Sequence, residues 1–157
     1  MMGTRVGDID AGALIHIMTT EELSLTEMNN LLNKQSGLLG ISGISFDMRE
    51  LRAAMNKGGD RAKLAYDMFI YRIRKYIGAY TAVMNGLDAL IFTGGIGEND
   101  PEVRKDVCEG FDYIGIKLDD GANTAEPGNE TVISAKNSGV KVIVIPTNEE
   151  LVIAEET

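Results

Sequence analysis

The chain has 157 residues, of which 44% are hydrophobic and 25% are charged, and its 24 acidic and 15 basic residues give a formal net charge of -9. An acidic protein repels nucleic acids and anionic membrane surfaces, so we expect neither as a partner. The length predicts one domain over residues 1–157 with a sizeable core. The sequence shows no apolar run long enough to span a membrane and no secretory leader, and we therefore expect a cytoplasmic protein.

One cysteine, Cys108, and one histidine, His16, are present. These numbers exclude an internal disulfide and a zinc site built from thiolates and imidazoles. We expect Cys108 to be a small buried apolar residue and His16 to lie on the face of a helix.

Helix signals dominate the first half of the chain. Two capping boxes, each a polar side chain with an acid three residues later, predict helix starts. A third and longer helix carries apolar residues at three- and four-residue steps, which predicts its apolar face. The predicted helices are residues 26–34 after Ser24 and Glu27, residues 48–57 after Asp47 and Glu50, and residues 60–85 with Leu64, Met68, Phe69, Ile73, Ile77 and Tyr80 as the apolar stripe.

The second half of the chain changes its hydrophobic period. Residues 89–93 and 140–146 are short apolar runs typical of buried parallel strands. Asp100 and Pro101 indicate the start of a helix, another helix is predicted after Asn148, and the polar stretch 118–131 is expected to be a surface loop. Helices and strands that alternate, with connections too long for hairpins, predict an α/β fold with helices packed on a short parallel sheet.

The segment "FTGGIGEND" follows the first predicted strand, at the edge where open α/β sheets bind ligands. Its glycines permit positive φ angles and a close approach of the backbone to a ligand. A dinucleotide fingerprint is disfavoured because Asp100 replaces the third glycine of GxGxxG, and the lysine of a P-loop is absent. The residues alone leave both a phosphate or nucleoside site and a plain tight turn open.

Four segments carry a family resemblance: "MMGTRVGDID", "LLNKQSGLLGISGISFDMREL", "FTGGIGENDPEVR" and "VIPTNEELVIAEET". They resemble successive signatures of the acetate kinases and span essentially the whole chain in family order. Ala11 stands where that family usually has proline, and either residue is compatible with a helix start. The resemblance implies the C-terminal domain of such an enzyme, with the ribonuclease H-like fold of the actin and sugar kinase superfamily. It also implies that the N-terminal domain is absent and that this chain alone is inactive.

The resemblance implies a reaction, a cofactor and a set of functional residues. The complete enzyme would transfer a phosphoryl group from ATP to acetate, reversibly, to give acetyl phosphate and ADP, with Mg²⁺ as cofactor. Arg5 corresponds to the catalytic arginine that contacts the phosphoryl group in transfer, and Glu149 to the glutamate of the magnesium site. The residues that correspond to the nucleotide-binding positions are Asp47, Met48, Arg49, Gly95, Ile96, Gly97, Glu98 and Asn99.

These residues also have plainer interpretations. Arg5 can be a surface arginine that pairs with Asp8 or Asp10. Asp47 is already predicted to cap a helix, although one carboxylate can accept several hydrogen bonds. Glu149 and Glu150 can be first-turn acids favoured by the helix dipole, and Glu150 competes with Glu149 for the magnesium role.

Two other functions remain open. A propionate or butyrate kinase would have similar nucleotide motifs, since the acyl pocket lies upstream in this superfamily. A non-catalytic nucleotide-binding or dimerisation module is the second alternative. The resemblance further implies a homodimer joined through this domain, and a sheet edge left open beside residues 89–93 would favour self-association.

Overall fold

A computed structural model of the chain describes residues 1–126, 128 and 130–147. The chain divides into two compact units, Met1–Arg72 and Ile73–Thr157, each with buried residues of its own. The prediction of a single domain stays a prediction. The helices are α1 (Ala11–Thr20), α2 (Leu25–Lys34), α3 (Gly37–Ser42), α4 (Met48–Met55), α5 (Asp60–Met84), α6 (Gly94–Asn99), α7 (Pro101–Cys108) and α8 (Asp120–Thr124), with strands β1 (Ala89–Phe92), β2 (Thr131–Val132) and β3 (Lys141–Val144) and a 3-10 turn at Asp112–Ile114.

The first unit contains α1 to α4 and the first half of α5. The predicted capping box of α2 is confirmed, because the Ser24 hydroxyl accepts from the Glu27 N–H while the Glu27 carboxylate accepts from the Ser24 N–H. Helix α4 begins after Asp47 as predicted and ends at Met55, earlier than expected. Leu38 and Leu51 have no solvent exposure and form part of the core of this unit.

The long helix α5 is confirmed, but its predicted apolar stripe is partly wrong. Leu64, Met68 and Tyr80 are 52%, 39% and 60% exposed, while Ile77 is buried as expected. The buried positions of the first half include two alanines, which let a helix approach its neighbours closely without contributing large apolar surface. The three- and four-residue pattern was based on large apolar residues, so it did not predict that these two alanines are buried. The buried residues of α5 are Ala62, Ala65, Tyr66, Ile70 and Ile77.

The second unit contains the rest of α5, the sheet and α6 to α8. Strands β1 and β3 pair in parallel, with Phe92 opposite Val144, so the predicted parallel pair and the α/β fold are confirmed. Strand β2 pairs antiparallel with β3, which makes a mixed sheet of order β1-β3-β2. Helix α8 lies within the stretch 118–131 predicted as a surface loop, and its Asn123 is buried, while β2 begins at the last residue of that stretch, Thr131.

The edge position of β1 explains why it is less buried than a central strand. Within the described sheet β3 is its one neighbour. Phe92 is buried, whereas Ile91 is 52% exposed, so the prediction of a fully buried strand holds for only one face. In the described part of the chain, no helix is long and apolar enough to cross a membrane.

Candidate functional site

The segment that carries Arg5 is attached by backbone hydrogen bonds to the start of α3. The Leu38 N–H donates to the Met2 carbonyl oxygen at 2.9 Å. The Leu39 N–H makes an equivalent bond to the Gly3 carbonyl oxygen at 3.0 Å. Because a helix start has N–H groups without partners inside the helix, α3 provides donors for an extended segment at this point.

Gly37 makes this close approach possible. Its φ angle is +63°, and a Cβ at this position would lie 2.2 Å from the Met2 carbonyl oxygen and 2.8 Å from that of Arg5. A side chain would therefore meet both a strained backbone conformation and two backbone atoms. Gly37 thus allows the backbone of residues 2–5 to lie against the start of α3.

The side chain of Arg5 is exposed, and the two aspartates considered as its partners make other contacts. Asp8 forms an ion pair with Arg72 at 2.7 Å. Asp10 caps α1 by accepting a hydrogen bond from the Ala13 N–H at 2.9 Å. The catalytic role of Arg5 stays a prediction.

Asp47 and Arg49 form a local cluster at the start of α4. The Asp47 carboxylate accepts the Arg49 N–H at 2.8 Å, so the predicted N-cap is confirmed. The Arg49 guanidinium also donates to this carboxylate, with Nε 3.1 Å from Oδ1. Hydrogen bonds from the Arg49 side chain, and then from its N–H, lower the pKa of Asp47 to about 2. The carboxylate is therefore charged at neutral pH.

Arg49 and Met48 point to different environments. The Arg49 side chain is 89% exposed, so its planar guanidinium is accessible to a ligand. Met48 is only 5% exposed and belongs to the buried residues of the first unit, so its contact with a nucleotide stays a prediction.

The glycine segment folds as the short helix α6 directly after β1, and not as an open turn. Gly94 has a φ angle of +72°, which favours glycine. A Cβ on Gly97 would lie 3.4 Å from the Phe92 carbonyl carbon, a tight contact with β1. A Cβ on Gly95 would meet no described atom within 4 Å. Packing among the described residues therefore does not explain the glycine at position 95, and a ligand against its backbone stays a prediction.

Glu98 connects the ends of two neighbouring strands. Its Oε1 accepts hydrogen bonds from the Gly94 N–H at 2.7 Å, the Thr147 N–H at 2.8 Å and the Thr147 hydroxyl at 2.9 Å. Gly94 lies after β1, and Thr147 lies after β3. The bonds from Thr147, first from its N–H and then from its hydroxyl, lower the pKa of Glu98. One oxygen of Glu98 thus already has protein partners, and a nucleotide contact of this residue stays a prediction.

Arg104 and Asn123 are two polar residues near this segment to which the sequence assigned no role. Both are 2% exposed. The Arg104 Nη1 donates to the Gly97 and Glu98 carbonyl oxygens, at 2.9 and 2.8 Å. The sequence does contain a signal for a buried arginine. Arg104 stands within the apolar stripe of α7, between Val103 and Val107, where a charged residue needs buried partners.

Glu149, Glu150 and the predicted last helix lie outside the described residues. Among the residues that are described, no group of His, Cys, Asp and Glu is arranged to hold a metal ion. Cys108 is buried as predicted, and burial raises the pKa of its thiol to about 12. His16 is exposed on α1, also as predicted.

Two cavities, one in each unit, are not lined by the predicted site residues. One cavity of about 530 Å³ in the first unit is lined by residues that include Val6, Gly37 and Tyr71. Another of about 430 Å³ in the second unit is lined by residues that include Lys105 and Lys117. Neither cavity therefore supports the predicted site residues.

Known proteins of one family match this chain over almost its whole length. A model of the Acetokinase family matches residues 1–155. The acetate kinase of Bacteroides thetaiotaomicron is 57% identical over 157 residues, which is 100% of this chain and 39% of that protein. This chain thus spans about two fifths of the length of that curated relative.

Solved structures show the same fold at high similarity. Porphyromonas gingivalis acetate kinase is 49% identical with a TM-score of 0.92, over 100% of this chain and 39% of that one. A propionate kinase from Francisella tularensis is 46% identical with a TM-score of 0.87, over 99% of this chain and 39% of that one. The α/β fold implied by the resemblance is confirmed. On the family match and these identities, the chain belongs to the acetokinase family.

Proposed function

We propose that this chain supplies the nucleotide-binding part of a kinase that transfers a phosphoryl group from ATP to acetate, reversibly, giving acetyl phosphate and ADP. The observation that carries the proposal is the match of residues 1–155 to the family, with 57% identity to an acetate kinase. The local geometry supports it, since Gly95 presents a backbone without side-chain cover after a strand end.

The proposed roles follow the chemistry of the residues. The charged Asp47 carboxylate would accept hydrogen bonds from the ribose or the base, and the exposed Arg49 guanidinium would lie flat on the base. The backbone of Gly95 to Asn99 would contact the nucleoside and its proximal phosphates. Arg5 would hold equatorial oxygens of the transferring phosphoryl group with its fork of donors.

Mg²⁺ is part of the proposal through Glu149. A carboxylate is a hard oxygen ligand, and Mg²⁺ near phosphates usually keeps several waters and takes one or two carboxylates. When bound, the ion would neutralise charge on the phosphates of the nucleotide. We further propose a homodimer, for which exposed apolar residues such as Tyr80 and Val83 offer surface. A cytoplasmic location stays a prediction.

A propionate kinase is the second candidate, and the observation in its favour is the similarity to a solved propionate kinase. The identity of 46% to that protein is close to the 49% to a solved acetate kinase, so identity over this region does not separate the two acyl substrates.

A chimera tests the proposal. This chain replaces the matching 39% of the Bacteroides thetaiotaomicron acetate kinase, and hydroxamate formation is measured with ATP and acetate. We expect activity, and we expect Arg5→Ala to reduce it by at least about a hundredfold, the scale of a lost charge-stabilising group in phosphoryl transfer. A folded chimera that binds ATP but forms no acyl phosphate from acetate, propionate or butyrate would contradict the kinase function. The 157-residue chain alone should bind ATP weakly in calorimetry and show no turnover, because phosphoryl transfer needs both substrates and the metal positioned together.

A further inference from the structure

Arg104 holds a buried charge that is hydrogen-bonded on every side of its guanidinium. Its Nε donates to the Asn123 Oδ1 at 2.8 Å and its Nη2 to the Asn123 carbonyl oxygen at 2.6 Å. Its Nη1 donates to the carbonyl oxygens of Gly97 and Glu98. A guanidinium that is 2% exposed is costly to bury, and these bonds offset the loss of water.

The two carbonyl acceptors belong to the last turn of α6. The final carbonyl groups of a helix have no partner inside the helix and need another donor. Arg104 provides that donor for Gly97 and Glu98, with a positive charge where a helix end favours one. At the other end of α6, the Gly94 N–H is held by the Glu98 carboxylate.

Asn123 accepts two hydrogen bonds from Arg104 and thereby fixes its position. The Asn123 Nδ2 donates to the Pro101 carbonyl oxygen at 2.8 Å, at the first residue of α7. Its Oδ1 and its backbone carbonyl both accept from Arg104. The side chain of Asn123 is therefore oriented by donor and acceptor contacts together, and it joins α8 to α7.

From this network we infer that Arg104 is a positioning residue of the nucleotide site. It sets the place of the backbone of Gly95 to Asn99 through the Gly97 and Glu98 carbonyls, and Asn123 sets the place of Arg104. The inference rests on the proposed nucleotide function of that segment. Lysine cannot replace this arginine fully, because an ammonium is a point donor without the planar fork that reaches two elements at once.

The experiment uses the 157-residue chain and measures two quantities for each variant. Hydrogen exchange reports the protection of the amides of residues 94–99, and calorimetry reports the dissociation constant for ATP. The variants are Arg104→Met, Arg104→Lys and Asn123→Ala. Arg74→Met is the matched control, because Arg74 belongs to the same unit and lies over the Phe111 ring, 5.2 Å from its centroid.

For Arg104→Met we expect exchange of residues 94–99 to rise by about tenfold and the dissociation constant for ATP to rise by about tenfold, the effect of losing hydrogen bonds to a charged group. Arg104→Lys and Asn123→Ala should show smaller changes in the same direction. Arg74→Met should leave both quantities at the wild-type value.

Two results would overturn the inference: unchanged exchange and affinity in folded Arg104→Met, or exchange that rises equally throughout the second unit. If Arg104→Met does not fold, wild-type values for both Arg104→Lys and Asn123→Ala overturn it. A wild-type chain that binds no ATP would contradict the nucleotide function, and the local exchange pattern would then decide the positioning role of Arg104.

Discussion

The Glu98 carboxylate oxygen accepts hydrogen bonds from both the N–H and the hydroxyl of Thr147, which is 49 residues further along the chain. The same oxygen accepts the Gly94 N–H. These bonds join the segment after β1 to the segment after β3. The two strands are parallel neighbours in the sheet. The relationship makes Glu98 a link between two segments at one edge of the sheet.

Replacement of Glu98 by glutamine should lower stability at neutral pH and have less effect in acid. The folded-state pKa of Glu98 lies below its ordinary value, so the ionised carboxylate stabilises the fold fully at a pH above its unfolded-state pKa. This contribution is lost as pH falls through the folded-state pKa. Denaturant midpoints of wild type and Glu98→Gln should therefore differ at pH 7 and converge in acid. Thr147→Val should give a smaller loss, and a difference that does not depend on pH would contradict the role of the charge.

Variants of Asp47 separate capping from ligand binding. Asparagine is also a good N-cap, so Asp47→Asn should keep the cap of α4 and lose only the charge of the exposed pair with Arg49, whereas Asp47→Ala should lower the denaturant midpoint further. If the carboxylate binds the nucleotide, both variants should weaken ATP binding by about tenfold in calorimetry. Wild-type ATP affinity in Asp47→Asn would leave only the capping role.

Gly37→Ala should destabilise the first unit strongly. The left-handed φ angle and the close Met2 and Arg5 carbonyl oxygens predict a loss of at least about 3 kcal/mol in the free energy of unfolding. Gly58→Ala is the matched control, because Gly58 has a φ angle of +84° but no described atom within 4 Å of a Cβ. The control should lose only about 1 kcal/mol, the conformational part. Equal losses in urea titrations would show that the contact with the Arg5 segment does not matter.

Gly95→Ala should weaken ATP binding without reducing stability. A Cβ at this position meets no described protein atom within 4 Å, so the free energy of unfolding should stay the same or rise slightly. A ligand against the backbone would meet the new methyl group, and we expect about a tenfold higher dissociation constant. Gly78→Ala in α5, where a Cβ also meets no described atom within that distance, should leave binding unchanged. Tight binding by Gly95→Ala would contradict the close approach.

The chain should self-associate through its second unit. Strand β1 has β3 as its one neighbour in the described sheet, and Ile91 on it is 52% exposed. An edge strand with exposed apolar residues pairs readily with another chain, and a lysine on the edge opposes this pairing. Light scattering at high micromolar concentration should detect a dimer or larger species, and Ile91→Lys should reduce it. A stable wild-type monomer would refute the prediction.

The sequence alone determined the elements whose signals are local. Ser24 with Glu27 and Asp100 with Pro101 indicated helix starts correctly, because capping depends on atoms only a few residues apart. The motifs also identified the family, which the comparisons confirmed. The nucleotide-binding roles of these motifs stay predictions.

Only the tertiary structure decided the contacts between residues distant in the sequence. The pairing of β2 with β3 depends on partners that no local pattern names, and so the sequence predicted no strand at residues 131–132. The hydrogen bonds from Thr147 to Glu98 join the segments that follow β1 and β3. Arg104 was visible as an arginine in an apolar stripe, but its partners became known only when the fold brought Asn123 and the Gly97 carbonyl within hydrogen-bonding distance. Hydrogen bonds and burial depend on distances in space, and these are set by the packing of the whole unit.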